Sequence, residues 1–290
     1  MIIARLEGGL GNQMFQYAVS RAIAHKRQTR VKLNLRPVKR DFNRSFALGN
    51  WNVAAAVATS AEIIAMRIAD KFVQALRPAT LYYRRPVVQE QGSGFDANVL
   101  QAPRHCMLVG YWQSEKYFKD IESGLRREFT LRAGISAESE KVASQIRSSD
   151  SVFLHIRRGD YISDAAISKV YDICSMEYYQ AAVEYVKQRI LQPHFFVFSD
   201  EPAWARENLK LPAPITIIDH NPPGDGNTPR REHEDLWLMS LCQHAIVANS
   251  SFSWWGAWLN PNKDRVVIAP KKWLRTHDEP DRVPGRWIRI

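Results

Sequence analysis

The sequence predicts an α/β protein of two domains, and three observations carry that expectation. The chain has 290 residues with 45% hydrophobic content, enough to build two ordinary cores. It opens on a short apolar run, Ile2 to Leu6, followed by glycine-rich GGLGNQ and the helical pattern Met14 to His25. The second half alternates strand-like and helix-like segments, the pattern of a parallel sheet covered on both faces.

After the opening unit, Val31 to Leu35 reads as a strand and Ser60 to Leu76 as an amphipathic helix, with Ile63, Ile64, Arg67, Ile68 and Lys71 separating into faces. Pro78 stops that helix. Arg77 to Pro103 is rich in Pro, Gly and polar residues and reads as one long loop before a strand at Met107 to Trp112. A helix near Glu138 to Ile146 precedes the regular half. There strands are expected at Ser151 to Ile156, Phe195 to Phe198, Ile215 to Ile218, Ala245 to Ala248 and Val266 to Ile268. Helices are expected at Met176 to Leu191, Pro202 to Leu209, Glu232 to Gln243 and Phe252 to Leu259. The domain boundary is placed near Ser148 to Asp150, giving domains 1–148 and 149–290.

The net charge of +10 predicts an electropositive surface, suited to nucleic acid, an anionic membrane or a phosphorylated ligand. The excess is spread along the chain rather than gathered in a tail, and neither an aromatic-basic RNA motif nor a helix-turn-helix signal appears, so no nucleic-acid partner is expected. Cys106, Cys174 and Cys242 are odd in number and far apart, which predicts reduced thiols in a cytosol. The first residues show no basic segment with a long apolar run, so no secretory signal is read. Ala245 to Asn262 is too polar for a membrane span. A cytoplasmic protein follows, peripheral to a membrane at most through its basic face.

In open α/β sheets ligands sit beyond the carboxyl ends of strands. Three segments lie there. His155-Ile156-Arg157-Arg158-Gly159-Asp160-Tyr161 ends a buried strand in two guanidinium groups, whose planar forks suit phosphate oxygens. Phe198-Ser199-Asp200-Glu201 ends another, where Ser199 or Asp200 either caps the next helix or recognises a base or ribose. Asn249-Ser250-Ser251 opens a helix whose N-terminus favours anions, while Trp254, Trp255 and Trp258 read as core. Gly8-Gly9-Leu10-Gly11 has GGxG rather than GxGxxG spacing, but its glycines permit close approach by a ligand. No DxD pair appears, so no metal and no cofactor are expected, and the arginines must neutralise a bound diphosphate.

Together GGLGNQMFQYA, HIRRGDY, FSDE and ANSSFSWWGAWL, in this order from Gly8 to Leu259, resemble the bacterial α-1,2-fucosyltransferases of glycosyltransferase family 11. The resemblance implies a GT-B-like fold of two α/β domains facing a cleft, the amino-terminal one on the acceptor side and the carboxyl-terminal one holding GDP-fucose. It implies transfer of fucose from GDP-β-L-fucose to the 2-hydroxyl of a terminal β-galactoside with inversion, in a surface glycan such as an O-antigen. By the same resemblance Arg157 stabilises departing GDP, with Arg158 a structural or secondary partner. His155 and Asp200 approach the guanosine, Ser250 and Ser251 fall where hydroxyls and amides contact phosphate, Asn12 lies beside the β-phosphate, and Gly9, Gly11 and Asn249 complete the donor-binding set. The base stays open between Asp160, Asp164 and none. Other readings are α-1,6 transfer by the same chemistry, a basic nucleic-acid binder, and a non-catalytic sugar-binding module using the tryptophans.

Overall fold

The computed structural model describes residues 1–41, 45–165, 168–221, 231–276 and 279–290; the side chains of Asp160 and Ser163 lie outside the description. The chain divides into two compact units, residues 1–132 with 280–282, and residues 133–279 with 283–290. The division falls ahead of the boundary expected after Ser148. The helix between the two positions, Ala137–Arg147, packs on a helix of the second unit and buries Ala143 and Ile146.

The first unit contains β1 (Ile2–Arg5), α1 (Leu10–Lys26), β2 (Val31–Asn34), α2 (Arg36–Arg40), β3 (Ala55–Val57), α3 (Ser60–Leu76), β4 (Val87–Gln89), β5 (Cys106–Val109) and α4 (Glu122–Glu128). Its five strands are all parallel, in the order β3-β2-β1-β5-β4. The expected loop from Arg77 to Pro103 therefore contains a strand. β4 is only three residues long and follows Pro86, too short to show a period, and it is specified by pairing Val88 against Leu108. The expected glycine turn is also shorter than read. Gly8 takes a positive φ of 75°, Gly9 caps, and α1 begins at Leu10, placing Gly11 and Asn12 in its first turn.

Two glutamines on α1 hold that opening. Gln13, fully buried, donates to the Gly8 and Ser45 carbonyls and accepts the Ala47 and Leu48 N–H groups. Gln16 accepts from Glu7 N–H and returns a bond to its carbonyl. Buried amides of this kind are stable only when satisfied, and here they replace a sheet ladder for the loops they touch. Thr59 caps α3 in a capping box with Glu62, each side chain bonding the other residue's backbone N–H.

The second unit contains α5 (Ala137–Arg147), β6 (Asp150–Ile156), α6 (Gly159–Ser163), α7 (Met176–Lys187), β7 (Pro193–Ser199), α8 (Pro202–Asn208), β8 (Ile215–Ile218), α9 (Glu232–Leu241), β9 (His244–Ile246), α10 (Ser251–Leu259), β10 (Val267–Ala269) and β11 (Ile288–Arg289). Its parallel sheet has the order β8-β7-β6-β9-β10-β11, the doubly wound order of Rossmann folds. Both units are thus Rossmann-like parallel α/β structures, as the fold class required. Val152, Leu154, Ile156, Phe195, Val197 and Ile246 form the centre of the second core with Tyr178 and Tyr179 of α7.

Trp254, Trp255 and Trp258 are buried, as read from the sequence, and pack ring against ring. α10 approaches α9 so closely that a Cβ on Gly256 would lie 2.8 Å from Met239 Cβ. Since neither atom can rotate away, Gly256→Ala is expected to cost about 1–3 kcal/mol. Thermal unfolding should show a melting temperature lower by roughly 3–10 °C; an unchanged midpoint would show that the helices part without cost.

Candidate active site

In the second sheet the chain winds outward from β6 through β7 to β8, then returns to place β9 on the other side of β6. The crevice between the carboxyl ends of β6 and β9 is the switch point where doubly wound sheets bind ligands. HIRRGDY follows β6, FSDE follows β7 and NSS follows β9, so three of the segments chosen from sequence meet at one edge.

Asp200 orders this edge. Its Oδ1 accepts the Arg158 N–H at 3.0 Å and its Oδ2 the Gly159 N–H at 3.0 Å. Oδ2 also lies 3.2 Å from Nη1 of Arg157. Gly159 is needed here because a Cβ would stand 2.9 Å from that Oδ2. Neither Ser199 nor Asp200 caps α8, whose N-cap is Glu201 without a side-chain cap bond; the Ser199 hydroxyl accepts the Glu201 N–H in the turn before the helix. Arg158 turns away from Arg157: its Nε donates to Glu201 at 3.0 Å and its guanidinium covers the Trp204 ring at 3.8 Å. The Arg157 guanidinium lies 5.8 Å from the Tyr161 ring centroid.

The ends of β6, β9 and β10 are tied together from below. Tyr178 donates to the carbonyls of Val247 and Ile268, and Tyr179 to that of His155. Burial holds both phenols well above their usual pKa. Tyr161, stacked on Tyr171, donates to the Asn249 carbonyl at 2.9 Å and so joins the turn after β6 to the one after β9. These tyrosines were not selected from sequence as site-forming residues. Their hydroxyls look like ordinary core positions until the topology brings the strand ends beneath them.

His155 is buried, with its ring 5.8 Å from that of Phe252 and no partner at Nδ1. Burial, then the Arg157 charge, lower its pKa to about 3, so the imidazole is neutral at physiological pH. Asn249 is bound on both sides of its amide: it donates to the carbonyls of Asp172 and Trp273 and accepts from the Cys174 thiol. This residue, expected among the donor-binding groups, thus also holds the loop after β9. Ser250 caps α10 and accepts the Phe252 N–H, with Ser251 the first helical residue beside it.

Asp164 is exposed, its carbonyl receiving the Ser168 N–H. The Asp160 side chain lies outside the described residues, as do Ala166 and Ile167. Cys106, Cys174 and Cys242 are all free thiols.

Gly9, Gly11 and Asn12 belong to the first unit, at its own switch point between β1 and β5. Asn12 Oδ1 accepts from Gln113 Nε2 at 2.7 Å, and a Cβ on Gly8 would strike Asn12 Nδ2 at 2.5 Å. Gln113 sits on the loop after β5, where Trp112 has a φ of 56° and Gly110 of 152°. Glu90, at the end of β4, accepts the N–H groups of Tyr111 at 2.6 Å and Trp112 at 2.8 Å. Neither Glu90 nor Gln113 was singled out from sequence, where nothing in the residues around them marks them.

Two Rossmann-like parallel α/β units give the chain the GT-B fold class. The chain belongs to glycosyl transferase family 11, whose sequence profile matches residues 90–287. It is 33% identical to an Escherichia coli alpha-1,2-colitosyltransferase, over all of this chain and 99% of that protein. It is 29% identical to the O-antigen biosynthesis glycosyltransferase WbnK of Escherichia coli, over 98% of this chain and 99% of that protein. A Bos taurus galactoside alpha-(1,2)-fucosyltransferase 2 is 28% identical over 53% of this chain and 45% of its own length. In fold, the chain is similar to Arabidopsis thaliana FUT1 in complex with GDP, with a TM-score of 0.50, 11% identity, and coverage of 94% of this chain and 71% of that one.

The buried His155 makes acid stability a test of the site. The unfolded imidazole takes up a proton below about 6.5. The folded one refuses it until about 3, so stability falls as pH drops through that window. Denaturant midpoints at pH 7 and pH 4.5 should show the balance between wild type and His155→Gln moving in the variant's favour at the lower pH; a constant difference would mean that the ring takes up its proton normally. Asp200→Asn should loosen the turn after β6 and destabilise the protein by about 1.5–3 kcal/mol, the worth of one charge-assisted hydrogen bond. An unchanged denaturant midpoint would show that the turn holds without the charge.

Proposed function

We propose that this enzyme transfers L-fucose from GDP-β-L-fucose to the 2-hydroxyl of a terminal β-galactoside, with inversion and without a metal ion, in the cytoplasmic assembly of a surface glycan such as an O-antigen. The observation that carries the reading is Arg157 held by Asp200 at the switch point, beside the N-terminus of α10. Full-length similarity to an alpha-1,2-colitosyltransferase and an O-antigen glycosyltransferase supports the linkage and the setting.

As the bond from fucose to phosphate breaks, negative charge develops on GDP. A preorganised guanidinium and the positive end of α10 stabilise that charge more than they stabilise the bound donor, which is the condition for lowering the barrier. Asp200 fixes the guanidinium beforehand, so little reorganisation accompanies the step. His155, buried and neutral, is assigned to the nucleoside side of the site as a polar group rather than a charge. Asn12 is assigned to the β-phosphate, and Gly9 and Gly11 to close approach of the donor. Deprotonation of the acceptor is assigned to Asp160 or Asp164, or to the departing phosphate.

A second reading changes only the donor. Similarity to a colitosyltransferase over the whole chain makes GDP-colitose, whose sugar is fucose without its 3-hydroxyl, the alternative to compare. Purified protein in EDTA should release GDP from GDP-fucose with lactose and form an α-1,2-fucosylated product. Arg157→Ala should lower turnover by ~10²–10³. Turnover only with GDP-colitose would replace the donor, activity restored only by added Mg²⁺ would reject metal independence, and no GDP binding would reject the site.

A further inference from the structure

α3 presents its apolar residues to solvent. Ile63 and Asp70 face the core, whereas Ile64, Ile68, Phe72 and Leu76 recur at every fourth position on the outer side, from 48% exposed at Ile64 to 77% at Leu76. Leu81, just past the helix, is also exposed. The sequence pattern suggested faces, but only Ile63 of the isoleucines is buried. A continuous exposed row of this size marks an interaction surface.

The charges around the row have one sign. Glu62 is paired with Lys32 and closes the helix cap, and buried Asp70 accepts from Val87 N–H and Gln74. The remaining charged side chains on the helix are Arg67 and Lys71, both exposed. Because helices in such a unit run against the strands, α3 ends at the amino edge of its own sheet, opposite the strand ends that carry Gly9, Gly11 and Asn12. A cavity of about 740 Å³ opens at that edge, lined among the described residues by Lys26, Arg27, Arg84 and Arg104 with Gln101 and Pro103 and by no carboxylate. Arg27 is steadied by the carbonyls of Ala102 and Gln101, and Arg104 by that of Gln28, which fix the guanidinium groups without neutralising them.

We propose that the outer face of α3 is an interfacial element that seats the first unit on an anionic lipid bilayer, with Arg67, Lys71 and the cavity cations meeting headgroup phosphates. No helix among the described residues is long and apolar enough to cross a membrane. An apolar stripe with basic flanks is the composition that binds such surfaces. A second copy of the chain is the poorer occupant, since it would bring like charges together on a protein of net charge +10.

Flotation with vesicles of equal parts phosphatidylcholine and phosphatidylglycerol, against phosphatidylcholine alone, tests this. The protein is expected to float with the anionic vesicles and to be released by salt. Ile68→Glu with Phe72→Glu should weaken binding roughly tenfold or more, with melting temperature and GDP affinity unchanged. If glutamates lower the melting temperature, Ile68→Ser with Phe72→Ser should give the same loss. Arg84→Gln with Arg104→Gln should weaken binding and flatten its salt dependence. Absence of flotation at low salt, or equal binding by the folded apolar-row variants, overturns the proposal. So does a dimer seen by light scattering that the row variants dissolve while vesicles bind no protein. Binding is also read in Arg157→Ala, where it should persist, so that a failure here is separable from a failure of the donor site.

Discussion

The turn after β6 depends on one carboxylate from the next strand. Three consecutive residues, Arg157, Arg158 and Gly159, present a cation and two N–H groups, and left alone that backbone would have several conformations of similar energy. Asp200 receives all three groups. Charge-assisted hydrogen bonds of this kind contribute about 1.5–3 kcal/mol each, enough to select one conformation. The arrangement requires β7 beside β6 in the register that sets Ile156 against Ser199, and it requires glycine at 159. The placement of the arginine is therefore a property of the sheet, transmitted through one side chain.

This explains why the motifs were legible in the sequence while several residue roles were not. A buried run such as Ser151 to Ile156 ending in arginines can be recognised, because burial and charge are local properties of the chain. Whether Asp200 meets a ligand or its neighbour's backbone depends on which strands pair, and that is not local. Asn249 shows the same limit: beside Ser250 and Ser251 it reads as a ligand group, yet carbonyls at Asp172 and Trp273 and the thiol at Cys174 occupy its amide. Periodicity revealed the longer elements. It missed β3, β4 and β11, whose two or three residues contain no full pattern, whereas the equally short β9 and β10 stood out through the uncharged runs Ala245 to Ala248 and Val266 to Ile268.

The sequence also could not show which apolar residues of α3 face inward. Isoleucines at 63, 64 and 68 are equivalent to a hydropathy pattern. The side that packs is settled by Ile3, Ala58 and Met107, which meet Ile63 across the sheet. Asp70 goes inward because Val87 N–H and the Gln74 amide satisfy it there, which removes an acidic group from the outer surface. The inward acid and the outward isoleucines are two consequences of one rotation of the helix.

The first unit repeats the device found in the second. Glu90 follows β4 as Asp200 follows β7, and each carboxylate accepts two successive N–H groups from the loop of the adjacent strand. Each also faces a glycine that excludes a side chain: a Cβ on Gly110 would lie 2.4 Å from Glu90 Cβ, as one on Gly159 would meet Asp200. Clasping by Glu90 accounts for the unusual positive φ at Trp112, since a bulky residue remains there only when its surroundings determine it. The held loop carries Gln113, and Gln113 fixes Asn12. In both units a carboxylate on one strand thus sets the loop of the next, and through it the polar side chain presented at the switch point: Arg157 directly in the second unit, Asn12 through one intermediate in the first. Parallel sheets favour this solution because their hydrogen-bond ladders stop at the strand ends, leaving the loops beyond them to be ordered by side chains.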